Sequence, residues 1–545
     1  MIAKRAIAAI LSVTCFTASA QVPNAANDAR IREYIAVGWD TLSRSMSDCK
    51  SVADPKVLTT PVLYLPAGFP TPPAAVAMQA SCHVQVGHLP RAIHHIGDIR
   101  FDELPTPGLL YLPNPYVVPG GRFNEMYGWD SYFIMLGLIQ DDRTNLARGM
   151  IENFFFEIEN YGAILNANRT YYFTRSQPPL LSSMIGEVYE NPAPGAQRDL
   201  IWLARAYAYA QRDYALWTSP NHQAGKTGLA RYRDIGEGPV PEMSDDSSYY
   251  TNVIHWLLAH PGDHPEYLVD GPESPTPQQA AALTKTSCDI GASRICAQAV
   301  VSGHRLSAAY CRGDRAMRES GFDTSFRFGP FSGSTDQYAP VCLNSLLYKY
   351  EKDMAHFASL LGHKLEVNAW ERRAATRKNA IDRYLWDARQ GLYLDYNFTT
   401  GKRAHYHFIA TFYPLWAGVA GREQAAAVHN HLALFERSGG LVTNDYASGM
   451  QWDLPFGWAP INWFGVFGLD RYGYHEDAAR IARDFPKTIL DNFLRYGTIR
   501  EKYNVADGSA DVKVAAGYPS NVVGFRCTNA VYLKFKDILA AFDKL

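Results

Sequence analysis

Residues 343–361 read LNSLLYKYEKDMAHFASLL. Leu343, Leu347, Tyr350, Met354, Phe357 and Leu361 recur every three or four positions, which lays one apolar stripe along a helix. Leu200, Leu203, Tyr207, Ala210 and Tyr214 repeat the pattern upstream. Further helical stretches are expected near 28–48, 142–160, 365–385, 404–435, 473–494 and 529–543. Strand-like alternation is brief, as in Gly391-Leu-Tyr-Leu-Asp-Tyr-Asn397. Between helices lie Gly-, Pro- and aromatic-rich loops at 104–130, 176–180, 236–247, 319–333, 449–463 and 501–525. Helix pairs joined by short loops at one end and long polar, aromatic loops at the other predict an all-α toroid of helical hairpins. The long loops are where a site would form.

The chain has 545 residues, 47% of them hydrophobic, enough for a large core. Its formal charge is −2, with no basic run or acidic tail, which argues against nucleic-acid and membrane-surface partners. Lys4 and Arg5, the apolar run Ala6 to Phe16 and Ala18-Ser19-Ala20 predict a cleavable signal over residues 1–20, hence a periplasmic or secreted protein. Of the cysteines beyond it, Cys49–Cys82 and Cys288–Cys296 are plausible disulfides, though spacing does not fix pairing. The Pro-rich stretch 65–74 reads as an N-terminal cap or linker. His405/His407 and His429/His431 are spaced two apart, which on a helix turns them to different faces, so no metal site is expected. Ala224-Gly-Lys-Thr227 lacks the earlier glycine of a phosphate loop, since Pro220 stands there.

Chemistry concentrates in a few loops. Pro119-Gly-Gly-Arg-Phe-Asn-Glu-Met-Tyr-Gly-Trp-Asp-Ser-Tyr132 combines paired glycines with Arg122 and Asp130 as hydrogen-bonding groups and Phe123, Tyr127 and Trp129 as stacking faces. Composition alone divides evenly between a ligand loop and a glycine turn entering a buried aromatic helix. Gln451-Trp-Asp-Leu-Pro-Phe-Gly-Trp-Ala-Pro460 has the same character, as do Asn166 with Arg175-Ser176-Gln177, and Arg318-Glu-Ser-Gly-Phe-Asp323. Arg500-Glu501-Lys502-Tyr503 adds a late carboxylate. Carboxylates, planar donors and aromatics together suit a buried polyol, whose hydroxyls must all find partners.

PGGRFNEMYGWDSY and QWDLPFGWAP resemble, at every constrained position, the two signatures of the trehalase family, glycoside hydrolase family 37. Weaker resemblance runs from about residue 30 to the C-terminus. It implies an (α/α)6 barrel that hydrolyses α,α-trehalose to two glucoses with inversion, without cofactor or metal. The implied organisation is one catalytic domain over 21–545, with an extension at about 21–100, acting as a monomer on a small disaccharide. By position, the resemblance implies Asp323 as general acid and Glu501 as general base; independently of it, Lys502 is read as a helper because the base must stay ionised. Arg122, Phe123, Trp129, Asp130, Asn166, Arg175, Ser176, Gln177, Glu242, Gly321 and Trp452 fall at its sugar-binding positions. An acid of this kind must keep its proton near neutral pH; burial beside Phe322, Phe326 and Phe328 favours that and Arg327 opposes it. An inverting pair also needs room for water, a carboxyl separation of roughly 6.5–9.5 Å.

The chain departs from the family pattern at four places. Val240 replaces an arginine two residues before Glu242, and Gly517 replaces a glutamate. Cys527 stands for tryptophan and Cys342 for aspartate. Arg526 or Asn521 is the expected replacement for the lost sugar contacts, and Cys342 with Cys527 is a conceivable new pair. The departures keep two alternatives open: a related hydrolase of another α-glucoside, and a non-catalytic sugar-binding protein on the same scaffold.

Overall fold

The computed structural model describes residues 25–53, 60–242, 248–270, 299–515 and 521–542. Twelve of its helices form two concentric rings. In chain order they are α1 (Ala25–Thr41), α2 (Gly128–Gln140), α3 (Thr144–Asn160), α4 (Leu181–Glu190), α5 (Leu200–Trp217), α6 (Val341–Leu360), α7 (Lys364–Ala380), α8 (Tyr413–Ala417), α9 (Arg422–Asn430), α10 (Ala459–Arg471), α11 (His475–Tyr496) and α12 (Arg526–Phe542). The even-numbered helices make the inner ring: each packs on the next, and α12 closes on α2. The odd-numbered helices lie outside, α1 against α11 and α12, and α9 against the strand Leu392–Tyr393. This is the expected (α/α)6 barrel. Its first helix belongs to the outer ring, so the extension expected over about 21–100 does not begin until after Thr41.

Burial explains which helices the sequence announced. Outer helix α7 buries Trp370, Ala374 and Arg377 along one side, an amphipathic stripe. Inner helix α2 buries Trp129 and every residue from Ser131 to Leu138, so no polar face interrupts its apolar run. For the same reason α2 and α10 escape a search for periodicity, and both start inside expected loops. The stretch 404–435 breaks into α8 and α9 because Gly418, at φ +76°, ends α8 in the left-handed region. The Pro-rich 65–74 segment is neither cap nor linker. It leads from the strand Val62–Leu65 to the helix Pro73–Ser81, within a parallel sheet completed by Gln85–His88 and Leu109–Leu110.

Most connections from inner to outer helices are short, at 141–143, 361–363, 418–421 and 472–474, while that at 191–199 is longer. Those from outer to inner helices are long and run to the N-termini of α2, α4, α6, α10 and α12. Every sequence-predicted site residue sits on one of these returns or at the start of the helix it enters. One return includes a further helix, Ala308–Glu319. Another pair is joined by an antiparallel ladder between Phe456–Trp458 and Lys502–Asn504, with Trp458 opposite Lys502.

Candidate active site

The acid's loop is set by a helix end. Ser307 caps the helix Ala308–Glu319 by accepting the Tyr310 N–H at 3.2 Å. After it, Gly321 at φ +77° turns the chain, and a Cβ there would lie 2.8 Å from the Trp129 ring, so only glycine fits. The turn seats Phe322 between Trp129 and Trp452, at ring distances of 5.8 and 5.0 Å. Asp323 follows, and the second aromatic loop grips its backbone: the Gln451 amide donates to the Asp323 carbonyl, and the Trp452 N–H to that of Thr324 at 3.1 Å. The Asp323 carboxyl is 37% exposed and 4.0 Å from Arg318 Nη1. Burial pushes its pKa up to about 6, against the pull of Arg318 and Arg175 and with added repulsion from Glu242.

The base's surroundings are tighter. Glu501 is 2% exposed, and its Oε2 accepts from Lys502 Nζ at 2.7 Å. The Glu501 N–H donates to the Val522 carbonyl at 3.0 Å. The adjoining segment supports the first signature loop: Gly121 N–H donates to Val523 O at 3.3 Å, and Arg526 N–H to Pro119 O at 2.7 Å. Arg122 is half-buried on that loop, and Phe123 packs edge-on against Tyr127 at 5.3 Å.

Asp130, in the first turn of α2, joins the two sides. Burial pushes its carboxyl up to about 7; the Cys527 thiol, 3.4 Å away, opposes this, while Glu501 and Asp323 both add repulsion. Asp130 thus lies within electrostatic range of both Asp323 and Glu501. Around it, Arg175 Nε donates to Asn166 Oδ1 at 2.7 Å and Nη2 pairs with Glu242, which holds that guanidinium firmly charged. Gln177 Oε1 accepts the Trp129 N–H at 2.9 Å, and the Ser176 hydroxyl donates to Ile164 O at 2.6 Å, so these two brace the site's backbone. Trp452 lies flat on Trp458, 3.9 Å apart.

Several expectations are corrected. Arg327 does not oppose the acid: its guanidinium is locked bidentate to Asp395 at 2.8 Å and lies 4.0 Å over the Phe408 ring. The cation beside Asp323 is Arg318, oriented by Asp314 at 3.2 Å and by the Tyr249 ring. Sequence reasoning listed Arg318 in its motif but gave it no role; it ends a helix five residues before the acid, which was the available signal. Arg526 does not replace a sugar contact, since its buried guanidinium faces Gly38 of α1, beneath Tyr34 and Trp39. Nor does Asn521, whose amide is spent on Lys502 and Ala510. Val240 is buried in an apolar cluster with Tyr249 and Tyr250 and leaves no charge at its position.

The disulfide Cys49–Cys82 is formed. Cys342 and Cys527 are separate free thiols, the first against Arg327 and the second against Asp130. The signal segment, Cys288–Cys296 and Gly517 lie outside the described residues. Among the described residues no group of three or more His, Cys, Asp or Glu is arranged to hold a metal, and no helix is long and apolar enough to cross a membrane.

The trehalase family model matches residues 74–540. A probable trehalase of Eremothecium gossypii is 35% identical over 540 residues, covering 90% of this chain and 68% of that protein. A cytosolic neutral trehalase of Kluyveromyces lactis is 37% identical over 437 residues, 76% of this chain and 54% of that protein. Thus the chain spans about half to two thirds of these relatives' length. The solved neutral trehalase of Saccharomyces cerevisiae superposes with a TM-score of 0.75 at 31% identity, covering 95% of each chain. A mannosylglycerate hydrolase of Thermus thermophilus, at 18% identity and a TM-score of 0.51, shares the fold. These names overturn the periplasmic or secreted location: the relatives named for a compartment are cytosolic. A short apolar run after two basic residues reports helix-forming and charge pattern, and that pattern does not by itself fix a destination.

Proposed function

This chain belongs to the trehalase family of glycoside hydrolases, and we propose that it hydrolyses α,α-trehalose to two glucose molecules with inversion, acting as a monomer. Asp323 donates its proton to the glycosidic oxygen as the C–O bond breaks. Glu501 takes a proton from water, whose oxygen attacks the anomeric carbon from the opposite face. Asp323 ends ionised and Glu501 protonated, and exchange with solvent restores both. Arg122, Phe123, Trp129, Asp130, Asn166, Arg175, Ser176, Gln177, Glu242, Gly321 and Trp452 form or brace the sugar site, and Arg318 joins them.

The observation that carries this reading is geometric: the Gly321 turn seats Phe322 between Trp129 and Trp452 and presents a partly open Asp323, while Glu501 lies buried against Lys502 at 2.7 Å. Asp323, pushed up to about 6 by burial, is fitted to donate a proton near neutral pH, and Glu501 is paired with Lys502 at 2.7 Å. Incubation with trehalose and a glucose assay is the test. Release of glucose whose first anomer is inverted supports the proposal; binding with no release across pH 4–8 leaves the non-catalytic sugar binder in its place. A specific observation favours a second reading. Val240, buried in an apolar cluster, supplies no charge where the family pattern has a cation, so another α-glucoside is a competing substrate. Comparing kcat/KM across α-linked glucose disaccharides separates the two.

A further inference from the structure

Lys502 is built into the site from several directions. Its strand pairs it with Trp458, and Asn521 holds its backbone at both ends, accepting the N–H at 3.2 Å and donating to the carbonyl at 2.8 Å. With the main chain fixed, the ammonium lies 4.9 Å over the Trp458 ring and 2.7 Å from Glu501 Oε2. Trp458 in turn is the platform under Trp452. Both members of the ion pair are buried, at 1% and 2% exposure. A buried carboxylate that loses its cation is an uncompensated charge and takes up a proton instead. Asp130 from α2 and the Cys527 thiol from α12 also lie within electrostatic range of Glu501, and neither of these two brings positive charge.

We infer that Lys502 is the positioning residue of the base: it keeps Glu501 ionised and anchors one of its two oxygens, so that the carboxylate meets the attacking water in one orientation. Lys502 keeps its own protons throughout; the proton taken from water rests on Glu501 and leaves to solvent. The inference rests on Glu501 being the base, as proposed above. Its test is the pH dependence of kcat and KM for trehalose in the wild type, Lys502→Gln and Lys502→Arg, with melting temperatures as the control for folding. Lys502→Gln is expected to lose kcat about 10²-fold, within the range that general-base catalysis supplies. Its KM should stay near the wild-type value and its acidic limb should move to higher pH. Lys502→Arg, which retains the charge, should restore the limb to its place with kcat still reduced, because a planar fork does not reproduce a point contact. Wild-type kcat in Lys502→Gln, or a loss of kcat with the acidic limb unmoved, overturns the inference. Should Lys502→Gln fail to fold, an acidic limb displaced in Lys502→Arg, or a kcat equal to wild type, does the same. A wild-type protein that releases no glucose instead removes the base assignment and leaves the ion pair a structural feature.

Discussion

The two carboxylates sit in opposite kinds of surroundings. Asp323 hangs from a glycine turn at the end of a helix, is partly open, and has Arg318 4.0 Å away, too far for a direct hydrogen bond. Glu501 begins a strand, is closed off from solvent, and is bonded to its cation at 2.7 Å. Burial dominates at the first and raises its affinity for a proton, whereas the second is held in a buried ion pair. On the proposed assignment the same functional group takes two roles, the partly open carboxyl as acid and the ion-paired one as base.

That contrast can be broken at either end. Asp323→Asn and Glu501→Gln should each lower kcat by about 10²–10⁴-fold, the share supplied by one general acid or base, with melting temperatures little changed. A variant retaining wild-type kcat would remove that residue from the mechanism. Arg318→Gln should have the next largest effect. It withdraws a cation that favours the Asp323 carboxylate, so the acid keeps its proton to higher pH and the alkaline limb of kcat/KM shifts upward. The wild-type limb sets the reference: Asp323 works in its protonated form, so kcat/KM should fall as pH rises through about 6. A limb unmoved in Arg318→Gln would show that another group controls it. Gly321→Ala asks whether the acid's turn is as constrained as its φ implies. It should cost about 1–3 kcal/mol in denaturant unfolding and displace Trp129, visible as a change in tryptophan fluorescence. The smallest expected effect is that of a chelator, which should leave glucose release unchanged.

Much of this contrast was legible beforehand, though unevenly. The amphipathic helices α5, α6, α7 and α11 announce themselves through spacing, because one side of each faces the core and the other does not. The inner helices α2 and α10 are wrapped on nearly all sides, and a continuous apolar run carries no period. The motifs containing Asp323, Glu501 and the sugar-binding candidates drew attention as short runs of unusual residues, and the family resemblance gave Asp323 and Glu501 their expected roles. Their electrostatic partners were not readable in this way. Arg327 is nearer the acid in some respects of sequence, four residues after it, yet it turns away to Asp395. Arg318 precedes the acid by five residues, and the helix end brings it back. Arg526 and Asn521 looked available as replacements for lost contacts, and both prove committed to packing and backbone support.

From its residues alone, then, the chain determines its helical periodicity, its turn glycines and the identity of its reactive groups, since these depend on neighbours within a turn or two. Closure of the ring between α12 and α2, and the ladder that sets Lys502 against Trp458, arise from segments far apart in the chain. Which cation stands beside which carboxylate follows from that closure. Charge interactions depend on separation in space and on exclusion of water, and only the assembled barrel fixes either one.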